Sequence, residues 1–168
     1  MAELDNLLKE QLALRVEKYI SNQMDEVILK IRDLSKKFAI ANTDEKSPFR
    51  NVLAVAVDSS SSIEVIKNYI RYQVGRSGSS PIWKTIKEQD IFAKALVKEL
   101  ENLEKDAQVI LNNVRKAIPK GHDLEPYLND LNNQTQLLKN IHFKLVQLFL
   151  GYLAREHTAS VGEMKIKK

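Results

Sequence analysis

The chain has 168 residues, 43% hydrophobic and 29% charged, with a net charge of +4 and no cysteine. That composition fits a single folded domain with a genuine core, and it excludes disulfides, thiolate nucleophiles and cysteine–zinc sites together. No apolar run approaches the roughly 20 residues that a membrane-spanning helix needs. The acidic opening Met-Ala-Glu-Leu-Asp lacks the basic start of an export signal, so a cytoplasmic protein with no membrane contact is expected.

Residues 2–41 contain no Gly or Pro. Their stripe Val16, Ile20, Met24, Val27, Ile31, Leu34 and Phe38 steps by four and three, which keeps one helical face apolar. The linker Asn42-Thr-Asp-Glu-Lys-Ser47 ends this first helix, and its Asp44-Glu45 pair reads as solvated. Ser47-Pro48 reads as N-cap followed by the first helical residue, where proline's missing N–H costs nothing. Residues 49–57 then form a short helix, because the chain offers no partner strand for Val52-Leu-Ala-Val-Ala-Val57.

Asp58 and the serine run 59–62 make a turn. Ser61 and Glu64 have the capping-box spacing, which opens a second short helix over 63–76 with Ile63, Ile66, Ile70 and Val74 as its core stripe. Gly75 and Gly78 close it, and residues 77–81 form the loosest loop in the chain.

A second long helix is expected over 86–118, where Phe92, Leu96, Leu100, Leu103, Ala107, Ile110, Val114 and Ala117 keep the four/three step. Pro119 and Gly121 break it. A third runs from about residue 124, with Pro126 tolerated in the first turn, and it presents Leu128, Leu131, Leu138, Ile141, Leu145, Leu148 and Tyr152. Residues 157–168 read as a frayed, basic, flexible tail, leaving one domain over 1–156. The expected fold is all-α: a bundle of three long antiparallel helices with one or two short helices in the middle of the chain.

No catalytic constellation is visible, so no catalytic residue, metal or cofactor is expected and the chain reads as a non-enzyme. His122, His142 and His157 lack the Glu-x-x-His spacing of di-iron bundles and the His-Glu-x-x-His spacing of zinc proteases. His142 reads as a packing histidine. The four serines have no partnered base and are better explained as turn and cap.

Charge is distributed unevenly. Residues 47–87 carry six basic and two acidic side chains, an excess equal to that of the whole chain, and they also hold the single Trp. Lys67, Arg71 and Arg76, with Arg50, Lys84 and Lys87 close in sequence, are candidates for backbone phosphates. Tyr72 is a candidate for stacking on an unpaired base. Trp83, beside Pro81-Ile82, reads as core.

The segment Asn68-Tyr-Ile-Arg-Tyr-Gln-Val-Gly-Arg76 followed by Trp83 resembles the helix–loop of the small α-helical subunits of type III CRISPR effector complexes. The resemblance covers about 20 of the 168 residues. It implies a non-catalytic, antiviral ribonucleoprotein subunit that stacks with copies of itself and with other effector-complex subunits. Such a subunit helps position the guide–target RNA duplex, with Arg71 and Arg76 as RNA or inter-subunit contacts. The alternative is a helical protein–protein interaction or oligomerisation module without nucleic-acid contact.

Overall fold

The structure is a computed structural model that describes residues 3–43 and 46–168. The Asp44-Glu45 pair and the first two residues lie outside the described residues. The chain is predominantly helical, with six α-helices, two short 3-10 turns and one two-stranded hairpin among the described residues. It groups into two compact units, one comprising Met1–Asp25 and Asn102–Leu145, the other Glu26–Glu101 and Val146–Lys168.

Helix α1 spans Asn6–Phe38. Asp5 opens it, its carboxylate accepting the Leu8 N–H at 2.8 Å, the usual remedy for an unpaired first-turn amide. The α1 stripe is placed as its spacing predicts: Val27 and Phe38 are fully enclosed, and Ile20, Ile31 and Leu34 are buried. Ala39 turns left-handed, at φ 46°, and a 3-10 turn over Ile40–Asn42 follows.

Helix α2 spans Arg50–Val57, confirming helix over strand for this apolar run. It starts two residues later than Ser47-Pro48 predicts, because Ser47 uses its hydroxyl to accept the Phe49 N–H at 3.3 Å. Helix α3 spans Ile63–Gly75. Its cap is Ser62, which accepts the Val65 N–H at 3.2 Å, whereas the buried Ser61 hydroxyl has no hydrogen-bond partner among the described residues. The register that puts Ile66 and Ile70 in the core starts the helix one residue past the Ser61–Glu64 box, and Glu64 is free to meet Lys67 instead. The serine turn is built around Asp58, whose carboxylate accepts from the Ser60 hydroxyl at 2.6 Å and the Ser60 amide at 2.9 Å. The hydroxyl contact is the main reason its pKa lies below the ordinary carboxylate value.

After a 3-10 turn over Pro81–Lys84 the expected start of a long helix is replaced by a hairpin. Strand β1, Ile86–Lys87, pairs antiparallel with β2, Asp90–Ile91. Glu88 and Gln89 between them both have positive φ, 51° and 70°, the backbone of a two-residue type I′ turn. Lys37 at the end of α1 ties the turn down, with Asp90 at 2.7 Å and Glu88 at 3.7 Å. Helix α4 therefore begins at Phe92 and runs Phe92–Ala117. Its residues Phe92, Leu96, Leu100, Leu103, Ala107, Ile110 and Val114 are all fully buried.

The third predicted helix is divided. A single turn-and-a-half, α5, spans Glu125–Asn129. Asp130 is extended and restarts the chain as α6, Leu131–Ile166, by accepting the Asn133 N–H at 3.0 Å. Leu131, expected in the core, is therefore a first-turn residue and 75% exposed. The buried line of α6 runs Ile141, Leu145, Phe149, Leu153, His157 and Val161, a step of four that carries it about 40° further round the helix each time. That line continues beyond residue 156, so residues 157–166 are helical where a frayed tail was expected, and His157 is 1% exposed.

In the unit that contains α2 and α3, an aromatic cluster forms the centre. The Phe49 ring meets those of Trp83, Phe92 and His157, each at 5.8 Å between centroids. Phe38 packs edge-on to Phe92 at 5.3 Å. Trp83 is 2% exposed, so it packs in the core as its sequence context indicates.

Candidate nucleic-acid interface

The cationic candidates from the sequence do not line one hollow: Arg71 lines one and Arg50 another. Lys67 is half-buried, its side chain 20% exposed, with its ammonium 2.8 Å from Glu101 and 2.9 Å from Glu64. The hydrogen bond to Glu101, then that to Glu64, holds its pKa above the ordinary lysine value. Its charge is shared between these two carboxylates. Arg76, at the end of α3, donates from Nε to the Gln73 side-chain oxygen at 3.2 Å, while the Ser79 hydroxyl donates to the Gln73 carbonyl at 2.7 Å. Together these contacts fasten the Gly/Ser loop to the helix end.

Arg50 lies elsewhere, lining a hollow of about 620 Å³ with Arg155 of α6 over a floor that includes Gly151 and Ala154. Lys84 is exposed in its 3-10 turn and Lys87 in β1, and neither lines that hollow or the one described next. Tyr72 is 57% exposed, its ring 6.5 Å from that of Tyr69.

Arg71 is the candidate that the fold gives company. It and Val74 form the α3 wall of a hollow of about 580 Å³, whose α4 wall is Ala93, Lys94, Val97, Lys98 and Glu101. Lys94 and Lys98 are one turn apart on α4, so their stems leave the helix about 6 Å apart on one face. No carboxylate among the described residues lies within ion-pair distance of Arg71, Lys94 or Lys98. The acid that does line the hollow, Glu101, is already bound by Lys67. The result is three cations around an apolar floor, with one acid that shares Lys67 with Glu64.

The same two lysines border a second hollow of about 380 Å³ lined also by Lys30, Lys37, Asp33, Asp90 and Glu99. There acidic groups are plentiful. Asp90 has its pKa lowered first by the hydrogen bond from Lys37 and more weakly by the charge of Lys98. The electropositive side of α4 is accordingly the one that faces Arg71.

Lys94 and Lys98 were not among the sequence candidates, because residues 88–121 carry six basic and six acidic side chains and look balanced. The available signal was their four-residue spacing beside Ala93 and Val97, which puts two cations and two small apolar residues on one helical face. No group of His, Asp or Glu able to hold a metal ion occurs among the described residues. No helix among them is long and apolar enough to cross a membrane. Comparison with protein-family models, with curated proteins and with solved structures finds no match to this chain.

Proposed function

We propose that this chain is a non-catalytic, RNA-associated helical subunit, the small subunit of a cytoplasmic RNA-guided CRISPR antiviral effector complex. In this reading α1, α4 and α6 pack antiparallel as a three-helix bundle. Copies of the chain and other effector subunits surround it, and it helps hold the guide–target RNA. The observation that carries the reading is the meeting of Arg71 with Lys94 and Lys98 around one hollow, unpaired among the described residues. Cations left without protein carboxylates are suited to a polyanion, since each phosphate they neutralise releases counterions. Arg71 lies within the segment that resembles the type III small subunits, which joins the resemblance to the site.

The test is a salt series of binding to a fluorescent RNA. Arg71→Ala should weaken binding about threefold and reduce the slope of log K against log salt by about 0.7, the contribution of one contact to a single strand. Lys84→Ala/Lys87→Ala, outside the hollow, should lower the affinity less than Arg71→Ala. Binding with no salt slope, or an Arg71→Ala protein that matches wild type, would remove RNA contact from the reading.

The alternative, a protein-interaction module, draws on the α2–α6 hollow, where Arg50 and Arg155 flank Gly151 and Ala154. Small residues there permit close approach of another helix, and the two arginines favour an acidic one. RNA binding that responds to Arg50→Ala/Arg155→Ala and not to Arg71→Ala would move the interface to that face.

A further inference from the structure

Taking the RNA-binding reading as its basis, we infer that the α3–α4 hollow receives one unpaired nucleotide and not the phosphate ridge of a duplex. Its volume of about 580 Å³ falls within the roughly 300–1,000 Å³ of pockets that enclose small organic ligands. Its chemistry is divided in the way a nucleotide is. Arg71, Lys94 and Lys98 supply charge for a phosphate, and Val74, Ala93 and Val97 supply an apolar surface between the two walls. Ala93 is 1% exposed and the two valines are half-buried, so the valines provide the apolar surface that a base or ribose would cover.

A duplex meets a protein with a convex row of phosphates and keeps its base faces stacked inside. It would use the three cations and leave the apolar floor wet. A nucleotide free of pairing satisfies both parts at once, its phosphate on the cations and its base or ribose on the valines. Lys94 and Lys98, about 6 Å apart along the helix axis, can also meet neighbouring phosphates of an extended strand. The acid at the rim is outnumbered by the three cations, and Lys67, which Glu101 shares with Glu64, offsets part of its charge at 2.8 Å. The same chemistry would accept a free nucleoside monophosphate.

Three probes separate the possibilities: a short single-stranded RNA, the blunt duplex of the same sequence, and adenosine monophosphate alone. The single strand should bind about tenfold more tightly than the duplex, the equivalent of burying one modest apolar surface. Val97→Phe fills the floor without changing charge. It should bring the two affinities to within about twofold of each other by weakening the single strand and leaving the duplex unchanged. Val74→Phe does the same from the α3 wall, and circular dichroism identifies a variant that has not folded.

If adenosine monophosphate binds and Val97→Phe abolishes it, the natural occupant includes free nucleotide; if only the strand binds, the occupant is a nucleotide of RNA. Equal affinity for strand and duplex, unaffected by both phenylalanines, overturns the inference while leaving RNA binding intact. Adenosine monophosphate binding without any RNA binding overturns the RNA reading and keeps the nucleotide site. Failure of all three probes overturns both.

Discussion

Phe49→Ala is expected to destabilise the protein by about 3–5 kcal/mol, the range for deleting a fully enclosed aromatic ring. Phe49 is wholly buried and is the ring on which Trp83, Phe92 and His157 converge, all at 5.8 Å. Its loss removes three aromatic contacts and leaves a void between α2, the 3-10 turn, the start of α4 and the end of α6. Phe49→Leu, which keeps most of the volume, should cost less than half as much. Tyr72→Ala, on an exposed ring, should stay within about 0.5 kcal/mol of wild type. The chain's single tryptophan lies inside this cluster, so its fluorescence during denaturant unfolding reports the change where it occurs. Should Phe49→Ala cost no more than Tyr72→Ala, the aromatic cluster is not what holds this unit together.

The contrast between Phe49 and Tyr72 also marks what the sequence made readable. Helices α1 and α4 follow from steps of four and three, because a regular amphipathic face needs no information beyond its own spacing. The hairpin at 86–91 gave no such sign: its turn residues are Glu88 and Gln89, not the Asn-Gly or Asp-Gly that positive φ favours. What holds it is Lys37, more than fifty positions before the residues it binds. The division at Asp130 was equally hidden, since Leu128 and Leu131 continue an apolar spacing across a residue that leaves the helix to cap the next one. Beyond residue 156 the large apolar residues are only Val161, Met164 and Ile166, and burial alone identifies His157 and Val161 as the end of the four-step line begun at Ile141. The site shows the same pattern. Arg71 was legible from its local surplus of charge. Lys94 and Lys98 were concealed by acids that neighbour them in sequence, and the partner of Lys67, Glu101, comes from another helix and so leaves no local sign.

The Lys67–Glu101 pair leads to the second large effect. Lys67→Glu should weaken RNA binding about thirtyfold, as expected for reversing one charge near a phosphate at about 1 kcal/mol per unit charge. The route is indirect. Lys67 lines no part of the α3–α4 hollow; its ammonium lies 2.8 Å from Glu101, which does. With glutamate at 67, Glu101 loses the ammonium it shares with Glu64 and gains a second repelling carboxylate in addition to Glu64. The freed acid then opposes phosphate and competes for Arg71 and Lys98. The charge swap Lys67→Glu/Glu101→Lys separates this from direct contact. It restores an opposite-charge pair and places the positive member on the wall of the hollow, so affinity should return to the wild-type level or above it. If Lys67 touches phosphate itself, the swap stays as weak as the single variant. Thermal unfolding of both proteins gives the control, because the lost bridge is surface-exposed on its acidic side and should itself cost about 1 kcal/mol or less. A swap that binds like wild type therefore makes Lys67 a positioning residue, whose part is to keep the acid of the hollow occupied.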